Sequence, residues 1–200
     1  LGTLKHLREC EGKSGFEFEK WDVSIPLWHQ PLKNKKFDLL VHLAANSDIS
    51  LGGKDPREDA RKTFSTTLET LIAAKELAIP NFVFASTSAV YGKNPPMPTR
   101  EETGNLHPVS VYGAGKLASE AFISAFVENF ALNAWVFRFG NVVGRRLTHG
   151  VIFDFTHRLR ANPTELVVLG DGNQTKTYID VEDCVSGILF GFEKSQAGKN

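Results

Sequence analysis

The chain has 200 residues, 42% of them hydrophobic, and a formal net charge of zero, enough for one sizeable core with part of a second lobe. Its charges are dispersed, so nothing in the composition points to a nucleic-acid surface, and no signal peptide or apolar run of membrane-spanning length is present. Cys10 and Cys184 lie far apart and in no metal-ligand spacing, so a reduced, cytoplasmic protein is expected.

In chain order, Phe16 to Asp22 reads as a short strand ending at an acidic residue. Phe37 to Ala45 is the clearest buried strand and runs into Asn46-Ser47-Asp48-Ile49. The small side chains Ala44 and Ala45 let a ligand approach the backbone there, although two alanines also suit plain core packing. His42, inside this strand, reads as a structural histidine. Pro56 to Ala78 has the pattern of a long amphipathic helix, with Phe64, Leu68, Leu71, Ile72 and Ala74 in near-helical register. Asn81 to Ala85 is a second buried strand, and it delivers the hydroxyl run Ser86-Thr87-Ser88. A proline-rich loop, Asn94-Pro95-Pro96-Met97-Pro98, follows.

A helix is then predicted from Tyr112 to about Phe130. Tyr112 and Lys116, four residues apart, share one face of it. A phenol titrates near pH 10, so Tyr112 can serve as a base near neutrality only beside something that favours the phenolate. Lys116 is spaced to do that, and Thr87 can hold a substrate oxygen or share its proton. Gly113 and Gly115 are poor helix formers in the first turn, consistent with a cofactor pressed against it. Ala134 to Phe139 is a third buried strand before Gly140-Asn141-Val142-Val143-Gly144, where Asn141 is either a turn former or a ligand contact. A helix from His149 to Leu159, a short strand from Leu166 to Leu169, and a cap by Asp180 and Asp183 complete the reading.

Four segments in this order, Val41 to Ala45, Ser86 to Ser88, Tyr112 to Lys116 and Gly170 to Ile179, give a sequence that resembles the extended short-chain dehydrogenase/reductase family and, within it, the nucleotide-sugar epimerases. The resemblance implies a Rossmann-like, doubly wound parallel α/β sheet over 1–145, part of a small substrate lobe over 146–178, and a return to the first domain over 179–200. It implies NAD as cofactor, bordered by Asp22 and Val23 at the adenine, by Leu43, Ala44 and Ala45 at the pyrophosphate and ribose, and by Tyr112 and Lys116 at the nicotinamide ribose. Thr87, Tyr112 and Lys116 would be catalytic. Ser88, Asn141 and Lys176 would meet a nucleotide sugar, a UDP-sugar foremost, with Lys176 on the diphosphate. Family dimers pair the helix at 56–78 with the one after the tyrosine, so a homodimer is expected.

Two departures from the family pattern matter. Neither Gly-x-x-Gly-x-x-Gly nor Gly-x-Gly-x-x-Gly occurs, and Leu1 to Leu7 falls where the family has already passed its second strand. The first strand and the glycine loop are therefore expected to be missing from these 200 residues, either because the chain is a fragment or because residues were omitted. The family's sugar 4,6-dehydratases carry Asp and Glu directly after the threonine, where this chain has Ser88 and Ala89. Epimerisation, which needs only removal and return of a hydride, is the better expectation. A dehydrogenase or reductase on the same scaffold, and a non-catalytic binding or dimerisation module, are the alternatives.

Overall fold

The computed structural model describes residues 3–46, 49–168 and 170–194. They divide into two compact units, one drawn from Lys20–Phe139 with Gly187–Asn200, the other from Leu1–Glu19 with Gly140–Ser186.

The first of these units is built on a parallel sheet of β1 (Leu40–His42), β2 (Asn81–Thr87) and β3 (Asn133–Phe139), in that order. The register runs Leu40↔Phe82 to His42↔Phe84 on one side of β2 and Asn81↔Asn133 to Thr87↔Phe139 on the other. Since all three strands run the same way, their carboxyl ends share one edge of the sheet. β1 is shorter than the expected Phe37 to Ala45, because only three residues find a ladder partner before the chain leaves the sheet at Leu43. Ser47 and Asp48 lie outside the described residues.

Helix α1 (Ile49–Lys54) is followed by α2 (Pro56–Asp59), whose start is fixed by Pro56 and by the Asp55 carboxylate accepting from Arg57 N at 3.0 Å. A π-helical stretch, Ala60–Ser65, joins α2 to α3 (Thr66–Glu76). The buried face of this segment differs from the predicted one. Leu71 and Ala74 are buried, but Phe64, Leu68 and Ile72 are only partly so, and threonines 63, 66, 67 and 70 fill the interior instead. Each of Thr66, Thr67 and Thr70 donates its hydroxyl to the carbonyl four residues earlier, at 2.6–2.9 Å. A threonine bonded that way buries its methyl without leaving a polar group unmet.

Helix α4 (Val111–Phe130) starts at Ser110, whose hydroxyl accepts from Gly113 N at 3.0 Å, and ends with Ala131 in the left-handed region. α3 and α4 lie on one face of the sheet, with Leu71, Ala74, Ile79, Phe82, Phe84, Ile123 and Leu132 forming the core between them. The opposite face carries Trp135, 5.0 Å from Phe192 between ring centroids, and Phe137, which packs on Gly191. Helices therefore cover both faces, as a doubly wound sheet requires.

The expected strand at Phe16 to Asp22 does not form. The alternating pattern is there, but no described strand pairs with it, and Phe16 and Phe18 are exposed. The segment 20–37 is anchored instead by its aromatic residues, with Trp21 5.7 Å from Trp28 and the buried His29 Nε2 2.9 Å from Glu76 Oε2.

In the other unit, β4 (Asn141–Val143) pairs in parallel with β5 (Tyr178–Asp180), and α5 spans Val151–Ala161. No strand forms at 166–168, and Leu169, the last residue of that predicted strand, lies outside the described residues. Asp180 Oδ1 accepts from Glu182 N at 2.8 Å and so caps α6 (Val181–Lys194). Arg146 ties this unit to its own first segment through His6 O and Glu9. Among the described residues no helix is long and apolar enough to cross a membrane, and both cysteines are free.

Candidate active site

The carboxyl edge of the three-stranded sheet gathers most of the predicted site residues, since Leu43 to Ala45 follow β1 and Thr87 ends β2. A 3-10 turn, Ser88–Tyr91, follows Thr87, whose hydroxyl oxygen accepts from Ala89 N at 3.2 Å. The Thr87 side chain acts on the Tyr112 phenol, in the first turn of α4, in the direction that lowers its pKa, which brings the predicted hydroxyl and the predicted base together. Ser88, at the start of the turn, is exposed.

The electrostatics of Tyr112 run opposite to the sequence expectation. Burial pushes the phenol above its usual value, the Thr87 hydroxyl opposes this, and the carboxylate of Asp59 adds to the rise. The Lys116 ammonium is directed elsewhere. It is 1% exposed, donates to Ala85 O at 2.6 Å and lies 4.4 Å from the centre of the Phe84 ring. Burial lowers its pKa to about 8, against the pull of Glu120 one helical turn away.

The two glycines of this turn have protein neighbours. A Cβ on Gly115 would sit 3.2 Å from Thr63 Cγ2, and one on Gly113 3.0 Å from Ala89 O. They allow the π-helical segment and the 3-10 turn to approach α4, and cofactor contact is not needed to account for them.

Asp22 is exposed and ionised, its carboxylate accepting from Ser24 N and Ser24 Oγ at 2.9 and 2.6 Å and facing Arg61 at 3.6 Å; these contacts hold its pKa below the usual carboxylate value. Val23 beside it is half-buried. Leu43 is 62% exposed and Ala44 is exposed, while Ala45 is half-buried. His42, by contrast, belongs to the core. It stacks on Phe84, its Nε2 is 3.1 Å from Thr67 Oγ1, and burial, with Lys116 nearby, drives its pKa to about 3. In the other unit, Asn141 Nδ2 donates to Thr177 O at 3.0 Å, and Lys176 is solvent-exposed.

Sequence reasoning missed two polar clusters. Asp59 is fully buried, its Oδ1 accepting from Thr63 Oγ1 at 3.0 Å and Asn46 Nδ2 at 3.2 Å. Behind Lys116, Glu120 takes a bidentate hold of Arg138 and accepts from Ser86 Oγ. Glu120 follows Lys116 by four residues, a spacing that could have drawn attention to it.

A parallel sheet wrapped by helices, with a tyrosine–lysine helix and a threonine at its carboxyl edge, defines a short-chain dehydrogenase/reductase scaffold. The model of the NAD dependent epimerase/dehydratase family matches residues 3–200. The UDP-glucose 4-epimerase of Mycolicibacterium smegmatis is 30% identical over 193 residues, covering 94% of this chain and 61% of that protein. A crystal structure of UDP-galactose 4-epimerase superposes with a TM-score of 0.78 at 36% identity, over 86% of this chain and 56% of the other. The Thermus thermophilus UDP-glucose 4-epimerase in complex with NAD gives a TM-score of 0.81 at 26% identity, over 92% and 62%. The chain belongs to the NAD-dependent epimerase/dehydratase family, whose enzymes use NAD. It spans about three fifths of the length of the curated relatives it matches.

The residues present fit this cofactor. The small, exposed Ala44 leaves the backbone after β1 open to close approach by a pyrophosphate and ribose, and the ionised Asp22 offers an acceptor within the same unit.

Proposed function

We propose that the protein carrying this chain epimerises a nucleotide sugar at C4 through a transient 4-keto sugar. The observation that carries this reading is the juxtaposition of Thr87 and Tyr112 at the carboxyl edge of the sheet, next to Ser88 and Ala89, which bring no carboxyl group to the site. Tyr112 takes the proton of the sugar 4-hydroxyl and later returns it, while Thr87 holds the substrate oxygen. The elevated pKa keeps the phenol protonated, so its use as a base requires a positive charge that stabilises the phenolate. In this reading Lys116, one helical turn away, supplies that charge on turning from the Ala85 carbonyl toward the bound substrate. NAD, held by Asp22, Val23, Leu43, Ala44, Ala45 and Lys116, supplies the hydride acceptor and donor. Turning the keto sugar over before the hydride returns inverts C4.

Ser88 contacts the sugar in this account, and Asn141 and Lys176 contact the nucleotide portion of a UDP-sugar. Lys176 acts there as a point charge toward the diphosphate. The relatives' printed names, UDP-glucose 4-epimerase and UDP-galactose 4-epimerase, support the choice of substrate. Residues 1–145 with 179–200 would form the cofactor domain and 146–178 part of the substrate lobe, in a cytoplasmic homodimer.

The test is product analysis by NMR with UDP-glucose as substrate. UDP-galactose without net change in NAD is expected. A 4-keto-6-deoxy sugar would identify a dehydratase, net NADH a dehydrogenase, and either would overturn the proposal.

A further inference from the structure

Ser86 on β2 and Arg138 on β3 are register partners, so their side chains leave the same face of the sheet. Glu120 of α4 lies on that face and binds both. Arg138 donates from Nε at 3.1 Å and from Nη2 at 2.7 Å, and Ser86 donates its hydroxyl to the same carboxylate. Glu120 and Arg138 are largely shielded, with side chains 10% and 21% exposed. The remaining guanidinium donor, Nη1, reaches Tyr91 Oη and Glu101 O, both at 3.1 Å. A carboxylate with this many donors is fixed in place.

Tyr112, Lys116 and Glu120 follow one another at four-residue spacing along α4, so the clamped carboxylate lies one turn beyond the buried amine. We propose that Glu120 is a positioning residue, an anion locked by Ser86 and Arg138 that holds the Lys116 amine charged inside the sheet. An ammonium with only one carbonyl bond and a ring face around it is poorly solvated, and a fixed negative charge within a helical turn offsets that cost. The direction in which Glu120 acts on Lys116 agrees with this. The other titratable group that bears on the amine is His42 on β1, neutral in the core, while Arg138 on β3 meets it through Glu120. The consequence for catalysis rests on the role proposed for Lys116 above, but the test does not.

The test is titration of the Lys116 side chain by isotope-edited NMR in the chain without substrate or cofactor, the signal being assigned by its loss in Lys116→Met. Glu120→Gln should move the titration to lower pH. Loosened packing would hydrate the amine and move it to higher pH, so a rise or no change in Glu120→Gln overturns the proposal. If Glu120→Gln does not fold, Arg138→Lys and Arg138→Gln decide. Arg138→Lys, which keeps the charge, should titrate like the wild type, whereas Arg138→Gln leaves Glu120 uncompensated and should titrate higher. Equal shifts in the two Arg138 variants would overturn the proposal. Either result can be read whether or not the protein is an epimerase.

Discussion

The Lys116 amine donates a 2.6 Å hydrogen bond to the carbonyl of Ala85, one strand residue before the hydroxyls that lead to Thr87. A buried cation thus links the helix that bears Tyr112 to the strand that bears Thr87. This fixes the spacing of the pair, and it leaves a charge in a place that water does not reach.

That charge predicts a trade of stability against function. With a pKa of about 8 in the folded chain and about 10.4 in an unfolded one, Lys116 costs roughly 3 kcal/mol at most wherever both states are protonated. Lys116→Met should therefore raise stability at pH 7, by about 1–3 kcal/mol in denaturant unfolding, while abolishing turnover. The sign is set by proton binding. Between pH 8 and the unfolded value the unfolded state holds more protons, so the wild type gains stability with rising pH and the gap to the variant should narrow. A variant less stable than wild type at pH 7 would show that the amine is stabilising where it lies.

His42 gives the same sign in a more acidic window. Its folded pKa of about 3 lies below the unfolded value near 6.5, so the stability it contributes is complete above pH 6.5 and is lost as pH falls toward 3. His42→Phe should flatten the pH dependence of unfolding across that range, measured by urea titration at successive pH values. An unchanged slope would mean that other groups dominate acid unfolding.

Gly92 closes the 3-10 turn after Thr87 with φ +84°, and a Cβ there would stand 2.5 Å from the carbonyl oxygen of His107. Gly92→Ala combines a strained backbone with a clash against another backbone. A loss of about 1–3 kcal/mol is expected, seen as a lower thermal midpoint. A neutral effect would mean that the 105–107 segment yields readily.

The three sheet strands and the Tyr112 helix were legible because each is locally self-consistent. Asn81–Thr87 is a compact apolar run before hydroxyls, and the stretch after Tyr112 carries its apolar residues at helical spacing. The alternation at 16–22 misleads because a strand also needs a neighbour, which no local pattern supplies. The threonine face of α3 was hidden by a hydropathy reading that treats hydroxyls as solvent-facing, whereas bonds to the preceding turn make them interior residues. The Glu120–Arg138–Ser86 clamp joins three elements separated in sequence, so only the sheet register brings it together. For the same reason the direction of the Tyr112 pKa was misread. Spacing puts Lys116 on the right face, but burial and the Ala85 carbonyl decide what the amine does.

The central claim is that Tyr112 moves the proton of the sugar 4-hydroxyl. The direct measurement is the rate of interconversion of UDP-glucose and UDP-galactose by the NAD-loaded protein, wild type against Tyr112→Phe, with circular dichroism to confirm that both are folded. The account predicts a fall of about 100-fold or more, the range expected on removing a general base. A folded Tyr112→Phe protein that epimerises at the wild-type rate would contradict it.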